Sequence, residues 1–343
     1  MNKGPTPTRL LPRLALLALA GLAALGLGGC GKKSEADSKV LRAGFFPNVT
    51  HAQAIIAREM AREGKPWFEA RLPEGWKLEW QGFNAGPSAM ESLITDSVDV
   101  SYVGPSPVIN AHIKTRGAHV RILSGAALGG AALLVPENSP LKTPADFRGK
   151  RIATPQLGNT QDVACRAWLA EGGLRVTLGG GDVSVVPTPN AEMIGMLASG
   201  NTDAVWTVEP WVARIRKRTG AKILVENPDE TTTVLVADRR VLTGPKKPAA
   251  DAFLAAHREL TAWIREHPEE ALTLLHKGLA YEQRAKDLPK DIVASAFSRV
   301  KFTPRVNFAD LDKAMKDAHK AGLIQSTADL SPLREFHHDE TRP

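Results

Sequence analysis

The sequence predicts an α/β fold with largely parallel sheets. Between Val40 and Ala237, short runs of apolar and β-branched residues alternate with longer helical runs, which is the order of a sheet covered by helices. From Ala249 to about Gly322 the pattern is helical alone. A chain of 343 residues is long enough for two modest lobes or for one large domain.

The predicted elements follow one another in pairs along the chain. Each strand is predicted where apolar or β-branched residues run together, and each helix where apolar residues recur every three or four positions. Proline opens several helices, at a position where its missing N–H is harmless. The predicted strands are residues 40–45, 77–83, 98–103, 120–123, 131–135, 151–154, 183–186, 204–207 and 234–237, and the predicted helices are residues 51–63, 87–95, 107–115, 160–170, 191–198 and a run that ends at 218.

Two strand–helix units about a hundred residues apart are similar to each other. Residues 97–103 and 201–207 both pass from a turn with an aspartate into a strand with an aromatic residue near its end, and proline opens the next helix. If this is a repeat, each lobe owns one copy, and the two strand ends can face a shared cleft. Ligands of open α/β sheets bind at the carboxyl ends of strands. Chance reuse of a common unit is the alternative.

The N-terminus has the pattern of a secretory leader. Residues 1–13 hold three basic and no acidic residues, and residues 14–27 are all Leu, Ala or Gly. A basic start, an apolar stretch of about 14 residues and small residues before a cleavage site are typical of a signal peptide, and the stretch is too short to span a membrane. The sequence therefore predicts a signal peptide over residues 1–29.

Cys30 directly follows Gly28 and Gly29 and resembles the cysteine of the bacterial lipobox, which is lipidated and becomes the new N-terminus. An ordinary signal peptide with a chance cysteine is the alternative. Lipid on Cys30 would anchor the protein to a membrane without spanning it. The polar residues 30–38 then form a flexible tether, and the protein is expected outside the cytoplasm on a bacterial membrane.

Charge and cysteine content narrow the function classes. The formal net charge of +7 includes the three basic residues of the leader, so the processed chain would carry +4. That surplus suits small anions and is too weak and too evenly spread for nucleic acid. With Cys30 lipidated, Cys165 has no partner for a disulfide, and its helical surroundings predict a buried, inert thiol.

Three segments share a design that suits an oxyanion. In residues 45–51, 103–107 and 155–162, an apolar strand leads through small and polar residues into a helix start. Free N–H groups and the helix dipole make such a start partly positive, so an anion can bind there without a buried Lys or Arg. The alternative is that Asn48, Ser106 and Asn159 only cap their helices.

Two further segments and several aromatic residues could complete a site. The small residues 125–131 suit a crossover between lobes, or a tight strand bend, and residues 231–233 suit the return crossover. Glu209 could pair with an arginine, cap its helix or meet an ammonium group. Trp211 is the best candidate to cover an organic tail, because it stands at a helix start. Core burial is the alternative for Trp211 and for the other four aromatic candidates, Phe45, Phe46, Tyr102 and Trp206.

The motifs of common enzyme classes are missing. The chain has no Gly-x-Ser-x-Gly elbow, no phosphate loop ending in Gly-Lys-Ser/Thr, no His-Glu-x-x-His and no cysteine cluster. We therefore expect no cofactor and no catalytic residue. His337 and His338 beside two acidic residues are more typical of a solvated tail than of a metal site, so we expect no metal.

Several segments of the sequence resemble the solute-binding proteins of aliphatic sulfonate, taurine and nitrate ABC importers. They resemble the sulfonate branch most. The resemblance runs from about Leu41 to Thr303, and residues 156–162 are its most specific part. The matching segments are residues 44–52 (GFFPNVTHA), 83–88 (FNAGPS), 102–107 (YVGPSP), 129–131 (GGA), 152–162 (IATPQLGNTQD) and 209–211 (EPW).

The resemblance implies a type II periplasmic-binding-protein fold of two α/β lobes with two crossovers and a helical C-terminal portion. Lobe one would be residues 38–127 plus 234–343, and lobe two residues 128–233. The implied ligand is a small anion, an aliphatic sulfonate above all, and the implied partners are an ABC permease and its ATPase, with the binding protein a monomer. The candidate ligand-binding residues are Asn48, Thr50, His51, Gly104, Pro105, Ser106, Gly130, Gly158, Asn159, Thr160, Gln161, Glu209, Trp211 and Thr232.

Other ligands and another class of function stay open. The ligand could be taurine, nitrate or a heterocycle such as a pyrimidine-type vitamin precursor, for which aromatic stacking would matter more than helix starts. An enzyme on the same fold would need a reactive Cys or His cluster, with Cys165 the only candidate thiol. The sequence favours a binding protein over an enzyme.

Overall fold

The computed structural model describes Met1, Gly4 and residues 39–337. The predicted signal peptide, the lipidation of Cys30, the tether up to residue 38 and the tail from residue 338 lie outside the described residues. Within the described range, no helix is both long enough and apolar enough to cross a membrane.

The described residues form thirteen strands and eleven α-helices. The strands are β1 Val40–Phe45, β2 Lys77–Gly82, β3 Val100–Val103, β4 Val120–Gly129, β5 Ala131–Val135, β6 Arg151–Thr154, β7 Val176–Thr177, β8 Gly180–Gly181, β9 Ser184–Pro187, β10 Ala204–Val208, β11 Lys222–Glu226, β12 Thr231–Asp238 and β13 Val300–Phe302. The helices are α1 Ala52–Arg62, α2 Gly86–Ile94, α3 Pro105–Lys114, α4 Thr160–Glu171, α5 Asn190–Ala198, α6 Trp211–Thr219, α7 Arg239–Thr243, α8 Lys247–Glu266, α9 Pro268–Glu282, α10 Lys290–Phe297 and α11 Phe308–Lys320.

Two sheets divide the chain into two lobes. Lobe one is built on a six-stranded sheet in the order β13-β4-β12-β3-β1-β2, and lobe two on a five-stranded sheet in the order β11-β5-β10-β6-β9. Strands β7 and β8 form a small separate hairpin. Apolar side chains are buried on both faces of each sheet, as expected for sheets covered by helices.

The sheets are mixed and not largely parallel, which corrects the prediction. β1 pairs in parallel with β2 and β3, whereas β12 runs antiparallel to β3 and β4. In the second sheet β6 pairs in parallel with β9 and β10, whereas β5 runs antiparallel to β10 and β11. The antiparallel pairs lie beside the crossovers, because a strand that arrives from the other lobe enters its sheet in the opposite direction.

Two connections join the lobes side by side. The chain passes from β4 to β5 through Gly129 and Gly130, which have φ of +70° and +73°. A side chain at Gly130 would collide with Val300, so glycine is required there for space as well as for its backbone. The second connection runs through residues 227–230, and the Gly129 N–H donates to the Glu230 carbonyl at 2.9 Å.

Strands β11 and β13 and the hairpin were not predicted, and β4 is longer than predicted. β13 is three residues long and interrupts a helical region, so it shows no periodicity of its own. β4 continues through small residues because other backbone passes close to them: the Gly125 N–H donates to the Pro304 carbonyl, and a Cβ at Gly125 would clash with the Arg305 carbonyl. The close approach of residues 304–305 to β4 is a contact between distant parts of the chain, so it produces no strand pattern in the local sequence.

Candidate functional site

A cavity lies between the lobes, where the carboxyl ends of β1, β3, β6 and β10 face one another. Phe46 after β1, Gly104 after β3, Pro155 after β6 and Val208 at the end of β10 are parts of its wall. The cavity is small, with a volume of about 30 Å³. The two similar strand–helix units hold corresponding places, since β3 and β10 are both third in their parallel groups.

Eight of the fourteen predicted ligand-binding residues line this cavity, and the segments 45–51, 103–107 and 155–162 all reach it. Asn84 and Asn190 also line it and were not predicted. Asn84 lies in residues 83–88, one of the segments that resemble the family, and Asn190 follows Pro189 at a helix start. Either pattern could have been used to predict these residues as part of the site. The predicted residues in the wall are Asn48, Thr50, His51, Gly104, Asn159, Thr160, Gln161 and Thr232.

Five helix starts meet at the cavity. The wall contains the first residue of a helical turn, or the residue before it, at Asn48, Gly86, Gly104, Thr160 and Asn190. The first N–H groups of a helix have no partner inside the helix, and the dipole makes this end partly positive. Four α-helices therefore direct partial positive charge at the cavity, whereas the short turn after Asn48 does not, because its first N–H, of Val49, donates to the Glu209 carbonyl.

The side chains in the wall carry no formal charge. Among the described lining residues there is no Lys, Arg, Asp or Glu, and the only ionisable group is the imidazole of His51. Burial lowers the pKa of His51 to about 3, so the ring is neutral near pH 7. Its Nδ1 accepts the Phe46 N–H at 3.3 Å, which assigns the proton to Nε2 and makes that nitrogen a donor.

A buried network fixes the start of α4. Asp162 accepts hydrogen bonds from the Thr154 hydroxyl at 2.9 Å, the Gly158 N–H at 2.9 Å and Arg166 Nε at 3.0 Å, and both charged side chains are buried. The Asn159 carboxamide oxygen accepts the Asp162 N–H at 2.9 Å and so caps the helix. Helix capping was the alternative role considered for Asn159 in the sequence analysis. Capping and lining the cavity are thus combined in Asn159.

The N–H groups of Thr160 and Gln161 stand in the first turn of α4, where the helix itself offers no acceptor, and the cap of Asn159 serves the N–H of Asp162 instead. Thr160 Oγ1 is buried without a hydrogen-bond partner in the described part of the chain. Unmade hydrogen bonds in a buried site cost free energy. These three donors are suited to an anionic group that enters the cavity.

Three contacts hold the lobes together beside the cavity. The Trp211 indole N–H donates to Asn48 Oδ1 at 3.0 Å, and the Val49 N–H donates to the Glu209 carbonyl at 3.0 Å. Thr160 of lobe two packs against Gly104 of lobe one so closely that a Cβ at Gly104 would collide with Oγ1. The structure therefore represents a closed arrangement of the cleft.

Trp211 and Glu209 belong to these interlobe contacts and do not line the cavity. The indole of Trp211 covers Asn48, which differs from the expected contact with a ligand tail. The Glu209 carboxylate accepts the Ala213 N–H at 3.0 Å and lies 2.9 Å from Arg299 Nε, so it both caps α6 and pairs with an arginine. Burial raises the pKa of Glu209 to about 7, opposed by the Ala213 N–H and by Arg299.

The other four predicted residues lie just outside the wall. Pro105 and Ser106 face a second small gap, on the far side of Thr160. Gly130 is in the crossover, and Gly158, with φ of +75°, provides the turn that lets its own N–H reach Asp162. These four residues shape the site through the path of the backbone and do not line the cavity themselves.

Buried histidines predict a pH dependence of stability. Burial lowers the pKa of His257 to about 4; its Nδ1 accepts the Tyr102 hydroxyl at 2.9 Å, and its Nε2 donates to Gly125 at 2.8 Å. Between pH 6.5 and 4, His257 is protonated in the unfolded chain but stays neutral in the folded chain, which favours unfolding. The stabilisation from His257 is therefore complete above pH 6.5 and is lost as the pH falls toward 4. Glu209, with a raised pKa, acts in the opposite direction between pH 4.5 and 7.

We expect the difference in unfolding free energy between the wild type and His257→Gln to shrink by about 2 kcal/mol from pH 6.5 to 5. Comparing the two proteins cancels the contribution of Glu209. Urea unfolding at both pH values measures this difference. A constant difference would show that His257 is not held neutral.

Cys165 is buried, and burial raises the pKa of its thiol, so the thiol is protonated near pH 7. In the range 39–337, no three His, Cys, Asp or Glu residues are grouped to hold a metal ion. His337 instead contacts the Phe308 ring, and Glu335 beside it pairs with Arg121 and Arg239, so the chain is fixed to lobe one as far as these residues.

Two α/β lobes, two adjacent crossovers and a cavity at facing strand ends define the type II periplasmic-binding-protein fold, a class of solute-binding proteins. The chain belongs to the NMT1-like family, whose model matches residues 34–276. Comparison with known proteins agrees with this assignment.

Two relatives are named for binding aliphatic sulfonates. The protein from Escherichia coli is 27% identical over 321 residues, which cover 92% of this chain and 89% of the relative. The protein from Bacillus subtilis is 28% identical over 299 residues, which cover 85% and 84%. The alkanesulfonate-binding protein of Xanthomonas axonopodis pv. citri, solved with bound MOPS, has a TM-score of 0.66 at 20% identity over 88% of this chain and 98% of that chain, a likeness that shows the shared fold.

Proposed function

We propose that this protein is the solute-binding component of an ABC importer and binds the head group of a small oxyanion, an aliphatic sulfonate above all. The observation that carries the proposal is a cavity between the lobes, at the starts of four α-helices, whose side chains bear no formal charge. Relatives of nearly full length that are named for aliphatic sulfonates support the choice of ligand.

The cavity suits an anion because its side chains are neutral and several unpaired donors reach it. N–H groups of α4, the Thr160 hydroxyl and the His51 imidazole can share the negative charge of three sulfonate oxygens. A cation would meet the positive ends of four helix dipoles without a carboxylate in the wall to balance it. Because the donors are neutral, the bound anion is not locked in a salt bridge, which suits a protein that must release it.

The proposal includes the setting of the protein. It acts outside the cytoplasm, anchored by lipid on Cys30, and hands its solute as a monomer to a permease driven by an ATPase. It acts as a binding protein and not as an enzyme, which the protonated, buried thiol of Cys165 supports. A periplasmic taurine-binding protein of Escherichia coli, 26% identical over 153 residues, supports the location.

Calorimetric titration of the purified protein with ethanesulfonate, taurine, sulfate and nitrate tests the ligand class. We expect ethanesulfonate to bind and Thr160→Val to weaken it about 10- to 100-fold, because a hydrogen bond to a charged group contributes about 1.5–3 kcal/mol. Thr273→Val is the matched control, since its hydroxyl donates to the Glu269 carbonyl on the outside of α9. No heat with any of the four anions would exclude this ligand class.

A further inference from the structure

Hydrogen bonds within the protein fix which end of three polar side chains is left for the cavity. A carboxamide has an oxygen that accepts hydrogen bonds and an NH2 group that donates them, and the two ends are similar in shape. A neutral imidazole likewise has one nitrogen that accepts and one that donates. Where the protein places a group that can only donate beside such a side chain, the accepting end must turn to that group.

The Asn48 carboxamide is fixed by Trp211. The Trp211 indole N–H, which can only donate, donates to Asn48 Oδ1 at 3.0 Å. The NH2 group is then the end of Asn48 that is left for the cavity, which this residue lines at 5% exposure. Since Asn48 belongs to lobe one and Trp211 to lobe two, the carboxamide is oriented in this way when the lobes come together.

A chain of two hydrogen bonds orients Gln161 in the same sense. The Asp162 N–H donates to Asn159 Oδ1 at 2.9 Å, so the Asn159 NH2 group is turned the other way and donates to Gln161 Oε1 at 2.9 Å. The Gln161 NH2 group is thereby left for the cavity that this residue lines. His51 follows the same rule, because its Nδ1 accepts the Phe46 N–H and its Nε2 carries the proton.

We propose that the site selects oxyanions that carry no proton, and that Trp211 is a positioning residue for this selectivity. The proposal rests on the proposed function and narrows its ligand class. An oxyanion with an O–H group would bring a donor against the fixed donors of Asn48, Gln161 and His51, and hydrogen bonds would be lost in a buried place. Hydroxyl groups in the wall, such as that of Thr160, can accept as well as donate, so the preference is one of degree.

Methanesulfonate and methylphosphonate provide the test, because they have the same shape and, at about pH 5, the same single charge. At that pH the phosphonate keeps one proton, since the second pKa of such a group is about 6 or higher. Calorimetry is expected to show methanesulfonate bound at least about 10-fold more tightly, because an unmade hydrogen bond in a buried site has a cost of this order. At about pH 9 the phosphonate has lost its proton, and the gap is expected to narrow.

Trp211→Phe keeps an aromatic ring and removes the N–H that holds the Asn48 oxygen. The carboxamide can then turn its oxygen to the ligand, so the ratio of the two affinities at about pH 5 is expected to fall severalfold toward one. A loss of packing alone would weaken both anions equally and leave the ratio unchanged. Trp67→Phe is the matched control, since the Trp67 indole N–H donates to the Ala256 carbonyl at 3.0 Å within lobe one. Thermal unfolding checks that both variants fold.

The outcomes separate this inference from the proposed function. Equal or tighter binding of methylphosphonate at about pH 5, or a gap that stays the same at about pH 9, would overturn the selectivity and leave the anion site intact. A preference for methanesulfonate that is unchanged in Trp211→Phe would overturn the role of Trp211. If neither anion binds at either pH, the proposed function fails, and this inference fails with it.

Discussion

Replacing Asp162 with asparagine is expected to lower the free energy of unfolding by about 3 to 5 kcal/mol, the usual cost of removing one partner of a buried ion pair. The Arg166 guanidinium is 2% exposed, and Asp162 is fully buried, so the change leaves a positive charge inside lobe two without its carboxylate. Urea unfolding of the wild type and the variant measures the loss.

The same change is expected to weaken sulfonate binding, because Asp162 also holds the Gly158 N–H and the Thr154 hydroxyl and so fixes the loop that enters α4. The exposed pair of Lys247 and Asp251 has the same spacing of four residues on a helix and provides the control. Asp251→Asn should change stability by less than about 1 kcal/mol. Equal effects of the two substitutions would mean that burial of the Asp162 pair is unimportant.

Replacing Gly104 with alanine is expected to weaken solute binding about 5- to 150-fold while leaving the unliganded protein folded. The new methyl group would collide with Thr160 Oγ1 and would lie 3.2 Å from Thr160 Cβ, across the gap between the lobes. Overpacking a tight contact costs about 1 to 3 kcal/mol, and only the closed form makes this contact. Calorimetry with ethanesulfonate measures the change in affinity.

Gly195→Ala is the control for Gly104→Ala. Gly195 lies inside α5, and a Cβ there would meet no atom within 4 Å, so we expect unchanged binding and a slight gain in stability from the better helix former. If Gly104→Ala binds the sulfonate as tightly as the wild type, the lobes do not approach each other at this contact when the solute is bound.

Much of the site could be predicted because its signals are local. Asn48 and Asn159 each stand between an apolar strand and a helix, so a few consecutive residues carried the information. The same local design placed Thr160 and Gly104 in the wall. Helix starts at the ends of neighbouring strands must meet at one edge of a sheet, which is why separate segments could be assigned to one cavity.

The features that escaped prediction depend on contacts between distant parts of the chain. Pairing of Glu209 with an arginine was one of three alternatives, but no pattern in the sequence reveals that the partner is Arg299, or that Trp211 contacts Asn48. Strand β13 exists because it pairs with β4, not because its three residues favour a strand.

Two adjacent connections join the lobes, at Gly129–Gly130 and at residues 227–230. Because of them, the affinity for the solute depends on the fraction of molecules in which the lobes are closed. The Gly129 N–H donates to the Glu230 carbonyl and so holds the two connections side by side, and we expect the lobes to open by rotation about that pair of segments. The apparent Kd then equals the intrinsic Kd divided by the fraction of molecules already shut. Evolution could therefore retune uptake to a scarcer or a more abundant solute by substitutions near this axis, without altering any residue that the solute touches.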